Sequence, residues 1–428
     1  MQDFLLTVFL TVGAINLLHM GLYIGGANIY DMWQFRRAKN KPVRRHDVKS
    51  PLVTVIVPAH NEEKVIQRCL DSIRTNTHRK IEVIVHNDNS TDATRKIVEA
   101  YKKQHPKLKL RLVNRRIRAG KGGGVNYCAQ KYARGDLVMT LDADCILHPR
   151  AIHNATQYFT NDRIVGVAAN VRIMDSPSVL GLLQKFEHMI GYRSKKFYAI
   201  TNSEFIIGGV ASTYRREIMK EVGYYDTDTQ TEDIGLSMKM IASGNRARRI
   251  IYADNVVAST EGVQTFRALM KQRYRWKLGM LQNLLKYKHL FGNPRRQYSK
   301  GLTLYRVPMA FLSEFFLLLE PFILAYVIYL SVIYNTTGLF VGAYVTITLY
   351  VLWNIWPDEH SSLLRKISLS LYSPIMYFIF YMMDVVQVVA IFRCLIHPSD
   401  VLLRSKETAK DISWTSPERA GNVVTAIS

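Results

Sequence analysis

Long apolar stretches lie on both sides of a more polar middle region of the chain. Residues from Phe4 to Tyr30 include no Asp, Glu, Lys or Arg, and a helix of that length can cross a hydrocarbon core of roughly 30 Å. Three further apolar stretches of membrane-crossing length follow residue 300, at Val307–Tyr334, Gly338–Trp356 and Ile367–Cys394. The pattern therefore predicts four transmembrane helices, one before and three after a soluble domain.

The first apolar stretch could instead be a cleaved signal peptide. Its start, Met1-Gln2-Asp3, carries no positively charged side chain, its apolar part is longer than that of a signal peptide, and no clear small-residue cleavage site follows. We therefore expect a retained helix. Seven Lys and Arg residues between 36 and 49 come directly after it, so the positive-inside rule puts that end in the cytoplasm and the N-terminus outside.

The middle region alternates short β-branched runs with amphipathic stretches from residue 51 to about 260. Strand–helix–strand units of this length favour parallel strands with right-handed crossovers. The first half therefore has the pattern of a nucleotide-binding α/β domain. The predicted strands are Leu52–Pro58, Ile81–Val85, Leu108–Val113 and Leu137–Leu141, and the predicted helices are Glu62–Thr75, Thr91–Tyr101 and Gly123–Tyr132.

The net charge of +23 suggests an anionic partner: nucleic acid, a membrane surface or a phosphate-bearing substrate. Residues 36–49, 111–124 and 264–306 carry 22 of these charges. Two of the three segments flank predicted membrane helices, where anionic lipid attracts them, and the third surrounds a glycine-rich stretch. The charge therefore indicates membrane orientation and an anionic small substrate, and we expect no nucleic-acid partner because no DNA-binding motif appears.

Two carboxylates, Asp142 and Asp144, come directly after the apolar run Leu137–Leu141. At the carboxyl end of a strand, where open α/β sheets bind ligands, such a pair can share Mg²⁺ or Mn²⁺ together with phosphate oxygens. The alternative is a solvated turn in which the acids cap the next helix.

Other polar groups also follow predicted strands or open predicted helices. Gly120–Gly124 is not a Walker A loop, because Gly122 follows Lys121, but it could offer backbone amides and one cation to a diphosphate. Thr231-Glu232-Asp233 is either a helix N-cap with two first-turn acids or a site with Asp233 as general base. Further candidates at strand ends are the Asn61-Glu62 turn and Asp88.

A basic amphipathic helix is predicted from about Gln264 to Leu290. It could lie on anionic lipid with Trp276 at headgroup level. Alternatively, Gln272, Arg275 and Trp276 share one helix face, where an arginine can pair with phosphate and a tryptophan can stack on a sugar ring.

These motifs, in this order, resemble those of membrane-embedded processive family 2 glycosyltransferases, such as the chitin, hyaluronan, cellulose and poly-N-acetylglucosamine synthases. The resemblance covers roughly residues 50–290. It implies a GT-A fold, α-helical transmembrane segments and a UDP-sugar donor with Mg²⁺ or Mn²⁺. It also implies site roles: Asp233 as base; Asn61, Glu62, Asp88, Lys121, Asp142, Gln272 and Arg275 for the donor; Trp276 and Glu232 for the acceptor; Asp144 and Asp142 for the metal.

The resemblance also implies a function. We expect an inverting β-glycosyltransferase in the plasma membrane, with its catalytic domain in the cytosol, that polymerises N-acetylglucosamine and moves the growing polysaccharide across the bilayer. Hyaluronan-type or cellulose-type synthesis and non-processive transfer to a lipid acceptor are the alternatives. Because four spans make a sparse channel, a homodimer or an accessory membrane subunit is a plausible partner.

The side of the membrane on which the C-terminal tail lies stays open. Three spans after the domain would put the C-terminal tail outside, whereas Arg404 and Lys406 favour the cytoplasm, so a re-entrant or interfacial segment stays open. Three acids, Glu314, Glu320 and Asp384, lie inside predicted spans. They either face a polar path or, for Glu314, reach the interface.

The predicted organisation has six parts. They are a transmembrane helix (1–35), a basic linker (36–50), the glycosyltransferase domain (51–262), an interfacial helix (263–300), three transmembrane helices (301–396) and a polar tail (397–428).

Overall fold

The computed structural model describes residues 2–40, 50–176, 178–335, 337–402 and 421. Most of the predicted basic linker and of the predicted polar tail, including Arg404 and Lys406, lies outside the described residues.

A mixed eight-stranded sheet forms the centre of the soluble domain. Its spatial order is β3-β2-β1-β4-β7-β6-β8-β5. The first four strands in this order pair in parallel, and β7 joins β4 to β6 through antiparallel ladders. The strands are β1 Val53–Ala59, β2 Ile81–Asp88, β3 Leu110–Arg115, β4 Leu137–Thr140, β5 Ile146–Leu147, β6 Ile164–Ile173, β7 Ser212–Arg215 and β8 Arg249–Thr260.

Helices cover the sheet and continue into the apolar regions. The helices are α1 Gln2–Asn40, α2 Ile66–Arg74, α3 Thr94–Gln104, α4 Gly120–Lys131, α5 Ala151–Tyr158, α6 Val179–Ile200, α7 Arg216–Glu221, α8 Glu232–Ala242, α9 Phe266–Lys286, α10 Val307–Ile333, α11 Gly338–Ile355, α12 Leu363–Ile396 and α13 Pro398–Val401. A 3₁₀ turn, Lys288–Leu290, follows α9, and a π-helical segment, Gly301–Arg306, leads into α10.

The predicted α/β fold class is confirmed. All four predicted strands are present as β1 to β4, and the β-branched residues that predicted them are the buried ones: Val53, Val55 and Val57 have no exposed side-chain surface. These valines form one core cluster with residues of α2 and α5, on one face of the sheet. On the other face, α4 and α8 pack against Ile56, Ile84 and Val138. Parallel strands buried on both faces explain the continuous apolar runs.

The prediction for the glycine-rich stretch needs a correction. Gly120–Gly124 is the first part of α4 rather than a loop before it. Glycines are required here by close packing: a Cβ on Gly124 would lie 2.4 Å from His86 Nδ1, and one on Gly122 would lie 3.2 Å from Glu232 Cγ. The stretch therefore brings α4 against β2 and α8, and its glycine content reflects contact rather than flexibility.

Three stretches of the described chain are long and apolar enough to cross a membrane: Leu6–Gln34, Gly301–Ile333 and Leu363–Ile396. The fourth predicted span is a shorter apolar helix at Phe340–Ile355. The number of spans therefore stays a prediction.

The last of these stretches, α12, contacts the soluble domain near both of its ends. Just before its start, Arg172 of β6 donates two hydrogen bonds to Asp358, at 2.7 and 2.8 Å. Beyond its end, Gln282 of α9 donates to the backbone oxygen of Asp400 at 2.8 Å, and the guanidinium of Arg393 lies 4.4 Å from the ring centre of Tyr274. The segments on both sides of α12 therefore lie against the soluble domain and α9.

Candidate active site

The soluble domain holds a cavity of about 790 Å³ at the carboxyl ends of β1, β2 and β4. Ten of the eleven predicted site residues line it, which brings together positions up to 214 residues apart in the chain. The lining residues are Glu62, Asp88, Lys121, Asp142, Asp144, Glu232, Asp233, Gln272, Arg275 and Trp276.

Asn61 is the predicted site residue that does not line this cavity. Its backbone has a φ of 57°, and its side-chain oxygen accepts a hydrogen bond from the Thr91 amide at 2.8 Å. The Asn61 amide in turn donates to Ser90 Oγ at 3.1 Å. Asn61 therefore ties the loop after β1 to the loop after β2.

Lys121 connects the glycine-rich start of α4 to the predicted metal-binding acids. Its ammonium lies 2.5 Å from Asp142 Oδ1. Burial disfavours the charged lysine, but the nearby carboxylates of Asp142, Glu232 and Asp233 outweigh burial and raise its pKa. Lys121 is therefore a permanent cation in the centre of an acidic cluster.

The acids after β4 differ in their surroundings. Asp144 is buried, and its Oδ2 accepts a hydrogen bond from Thr260 of β8 at 3.0 Å. Asp142 is about one-third exposed and pairs with Lys121. Within the described ranges, no group of three or more His, Cys, Asp or Glu side chains could hold a metal ion. Two carboxylates still fit Mg²⁺ or Mn²⁺, because such ions take their remaining ligands from water and substrate phosphates.

Asp88 organises the start of α4. Its two carboxylate oxygens accept hydrogen bonds from the amides of Ala119 and Gly120, at 2.8 and 3.0 Å. The Gly120 amide, one of those predicted to be available to a diphosphate, is therefore already bound. The predicted role of Asp88 in donor binding stays a prediction, beside this structural one.

The Thr231–Asp233 segment is not held by a side-chain N-cap. The Thr231 hydroxyl accepts from Asn283 of α9 at 3.1 Å, and makes no capping bond to α8. Asp233 instead lines the cavity. A Cβ on Gly209 would lie 3.3 Å from Asp233 Oδ2 and 2.5 Å from Lys121 Nζ. Because Gly209 has no side chain, the Asp233 carboxylate and the Lys121 ammonium can both lie close to its backbone.

Helix α9 presents Gln272, Arg275 and Trp276 to the cavity, as their spacing predicted. Arg275 donates a hydrogen bond to the backbone oxygen of Gln230 at 3.2 Å, in the loop before α8. Gln272 Oε1 is buried and accepts no hydrogen bond from any residue that the structure describes. Gln272, Arg275 and Trp276 therefore face the cavity, and the interfacial position of the helix as a whole stays a prediction.

The cavity extends to residues of the apolar helices. Glu314 of α10 lines it and accepts two hydrogen bonds from Lys277 of α9, at 2.7 and 2.9 Å. Gln387 of α12 also lines it. One helical turn from Gln387 on α12, Asp384 lies near Glu320 of α10. Of the alternatives for Glu314, the structure therefore supports a polar path.

Gly209, Glu187 and Glu261 are among the residues of this cavity that sequence reasoning missed. Gly209 carries no signal other than its neighbour Gly208. Glu187 belongs to α6, where nothing in the spacing separates a cavity residue from a surface one. Glu261, which pairs with Arg68, follows β8 and is buried. Only Glu261 had an available signal, because it is an acid directly after a strand.

The sequence of residues 54–223 matches the family model described as glycosyl transferase family 2. Residues 54–223, referred to below as the family 2 domain, are therefore similar in sequence to this family. The match begins in β1 and ends after α7, so it includes the predicted donor and metal acids and stops before Asp233.

Curated relatives extend the similarity beyond the family 2 domain. The chain is 29% identical over 237 residues to the poly-β-1,6-N-acetyl-D-glucosamine synthase of Staphylococcus epidermidis, covering 55% of this chain and 56% of that protein. It is 29% identical over 272 residues to the synthase of the same name from Staphylococcus aureus strain COL, covering 62% and 64%. The chain thus spans about three-fifths of the length of these relatives.

A solved structure shares the fold. The mannosyltransferase PcManGT from Pyrobaculum calidifontis, solved in complex with GDP-Man and Mn²⁺, matches with a TM-score of 0.56 at 22% identity, over 90% of this chain and 99% of that one. This likeness covers the family 2 domain together with apolar helices, and it confirms the predicted GT-A fold.

Proposed function

We propose that this protein is a processive inverting β-glycosyltransferase that polymerises N-acetylglucosamine from UDP-N-acetylglucosamine. The observation that carries the proposal is the convergence of a carboxylate pair, a lysine, Asp233 and the α9 motif on one cavity that reaches the apolar helices. The names of the staphylococcal relatives support N-acetylglucosamine as the sugar.

The donor would bind along the carboxyl ends of β1, β2 and β4. Asp142 and Asp144 would hold a divalent cation with the diphosphate, and Lys121, Gln272 and Arg275 would contact the same phosphates. When bound, the cation supplies positive charge that stabilises the leaving nucleotide. Lys121 and Arg275 add fixed positive charge where negative charge develops, and their positions are set before the reaction begins.

Asp233 would act as the general base. It would accept the proton of the acceptor hydroxyl as that oxygen attacks the anomeric carbon, while the bond from this carbon to UDP breaks. A single displacement converts an α-linked donor into a β-glycoside, so no nucleophile from the protein is needed. The Gly209 backbone leaves room for the acceptor oxygen near Asp233 and Lys121.

The acceptor would lie against Trp276, between the donor and the apolar helices. Glu232, in the first turn of α8, would contact it as well. The polar residues at the far end of the cavity, Glu314 and Gln387, would receive the growing chain on its way into the membrane.

The test is transfer from individual radiolabelled UDP-sugars by purified membranes with Mg²⁺ or Mn²⁺. We expect label from UDP-N-acetylglucosamine alone to enter a long product that a β-N-acetylglucosaminidase degrades. A product that needs two donors would indicate hyaluronan-type synthesis, and label from UDP-glucose would indicate cellulose-type synthesis. If the product is a single sugar on an extractable lipid, the protein transfers to a lipid acceptor and does not polymerise.

The membrane arrangement is part of the proposal. We place the domain in the cytosol at the plasma membrane, with α1, α10 and α11 crossing the bilayer and α12 lying along the domain at the cytosolic interface. Asp358, before α12, contacts β6 and Asp400, after α12, contacts α9, which supports this placement. The tail would then be cytosolic, in agreement with Arg404 and Lys406, and the predicted third span after the domain would be interfacial.

Accessibility of single cysteines to a membrane-impermeant maleimide checks the membrane arrangement. In a chain with its four native cysteines, which are all buried, replaced by alanine, Thr337→Cys should react in intact cells. Ser399→Cys should react only after permeabilisation, as should a control, Thr160→Cys, in the soluble domain. Labelling of Ser399→Cys in intact cells would mean that α12 crosses the membrane.

A further inference from the structure

Arg273 lies inside the α9 motif but has no role in the reaction proposed above. It is only 2% exposed, although it lines the cavity together with Trp276. Its guanidinium carbon lies 4.1 Å from the centre of the Trp276 ring system. A guanidinium at this distance is attracted to the indole face, and it covers that face.

Glu187 of α6 holds the other side of Arg273. Its Oε2 accepts a hydrogen bond from Arg273 Nη2 at 2.5 Å. Burial raises the pKa of Glu187, although Arg273 and Lys277 oppose that shift, and burial lowers the pKa of Arg273, which Glu187 opposes. The Glu187 carboxylate therefore balances the charge of Arg273, which is buried while Glu187 is partly exposed, and the buried guanidinium would be costly to leave alone.

Two N–H groups of Arg273 have no partner among the described residues. Its Nε and Nη1 are buried and donate no hydrogen bond to any residue in the described ranges. Buried N–H groups without a partner are rare, since each costs free energy. The hydrogen bond to Glu187 and the contact with the Trp276 indole therefore hold the guanidinium in place against this cost.

We propose that Arg273, held by Glu187, positions Trp276 and selects an uncharged sugar as acceptor. This inference rests on the proposed function. The guanidinium fixes the indole plane by covering one of its faces, and it leaves the other face for stacking of a sugar. Because Glu187 already balances the charge, an anionic sugar gains little from Arg273. Arg273 is thus a positioning residue for the acceptor, and Arg275 serves the donor.

The test separates acceptor binding from donor binding in the purified full-length protein. Lysine at position 273 keeps the charge beside Glu187 but loses the planar stack. With soluble N-acetylglucosamine oligosaccharides as acceptors, Arg273→Lys should raise the acceptor KM about tenfold and change the donor KM less than twofold. Arg267→Lys, an exposed position on the same helix, should change neither, and Arg275→Lys should raise the donor KM.

A double-mutant cycle tests whether Arg273 acts through Trp276. In a Trp276→Leu background, Arg273→Lys should raise the acceptor KM less than threefold. Glu187→Gln, which leaves the stack in place, should raise it less than Arg273→Lys does, and it serves as the second variant if Arg273→Lys fails to fold. An unchanged acceptor KM in Arg273→Lys, or additive effects in the cycle, would overturn the proposal.

A direct measurement of acceptor binding tests this inference separately from the proposed function. Calorimetric titration of the oligosaccharide into protein with bound UDP needs no turnover, and Arg273→Lys should weaken that binding about tenfold. If the unaltered protein transfers no sugar yet shows this loss, the proposed function fails and the acceptor site stands. If the protein is active and Arg273→Lys binds normally, only the inference fails.

Discussion

Replacing Asp233 by asparagine should reduce sugar transfer about a thousandfold, while UDP binding stays within about twofold of the original. Asparagine keeps the size and polarity of the side chain but cannot accept a proton, and general-base catalysis typically contributes between about 10² and 10⁴. A thousandfold loss corresponds to about 4 kcal/mol of transition-state stabilisation. The measurement is the initial rate of incorporation from UDP-N-acetylglucosamine, with UDP binding measured by calorimetry.

Two comparisons make this result specific to Asp233. Asp162→Asn alters a carboxylate whose side chain is 99% exposed, before the amino end of β6 and away from the cavity, and should leave the rate unchanged. Glu232→Gln alters the neighbouring acid and should cost less than Asp233→Asn. If Glu232→Gln abolishes transfer while Asp233→Asn keeps a tenth of the rate, the base is Glu232.

Replacing Asp144 by asparagine should weaken metal activation at least about a hundredfold, because an amide oxygen is a poorer ligand for Mg²⁺ or Mn²⁺ than a carboxylate. Even outer contacts of a metal ligand are worth about 10-fold to 100-fold. The experiment titrates the metal after removing it with EDTA, which should itself abolish transfer by the original protein. Asp144→Asn should need far more metal to recover a measurable rate.

Asp136 offers a matched control, because it lies directly before β4 whereas Asp142 and Asp144 lie after it. The Asp136 carboxylate accepts a hydrogen bond from the Leu52 amide at 3.3 Å. Asp136→Asn should leave the metal response unchanged. Thr260→Val, which removes the hydroxyl that binds Asp144, should give an intermediate effect. Transfer that resists EDTA and Asp144→Asn alike would exclude the proposed metal site.

The sheet and the edge that carries the site were predictable because their signals are local. Val53, Val55 and Val57 are buried between two helical layers, so the strand appears in the sequence as an apolar run. Asp142 and Asp144 follow such a run, and the carboxyl ends of parallel strands share one edge of a sheet. The spacing of Gln272, Arg275 and Trp276 likewise predicted a shared helix face.

The contacts that select among alternatives were not predictable. Gly120–Gly124 has the composition of a loop, yet it begins α4, and a Cβ on Gly124 or Gly122 would crowd His86 or Glu232. Thr231 could have capped α8, and only the approach of Asn283 from α9 gave its hydroxyl another partner. Glu187 meets Arg273 across 86 residues of chain, and nothing in either local pattern marks that pair.

The membrane arrangement likewise depends partly on local sequence signals and partly on contacts between distant segments. Hydropathy and length determined that α12 is apolar and could span a bilayer, because both are properties of a single segment. The return of α12 to the domain depends on Arg172 with Asp358 and on Gln282 with Asp400, which are contacts between distant segments. The sequence by itself thus determined the elements, the fold class and the chemistry at one sheet edge, since each follows from local periodicity. The tertiary structure decided which groups meet, because packing between elements depends on shape and charge across the whole chain.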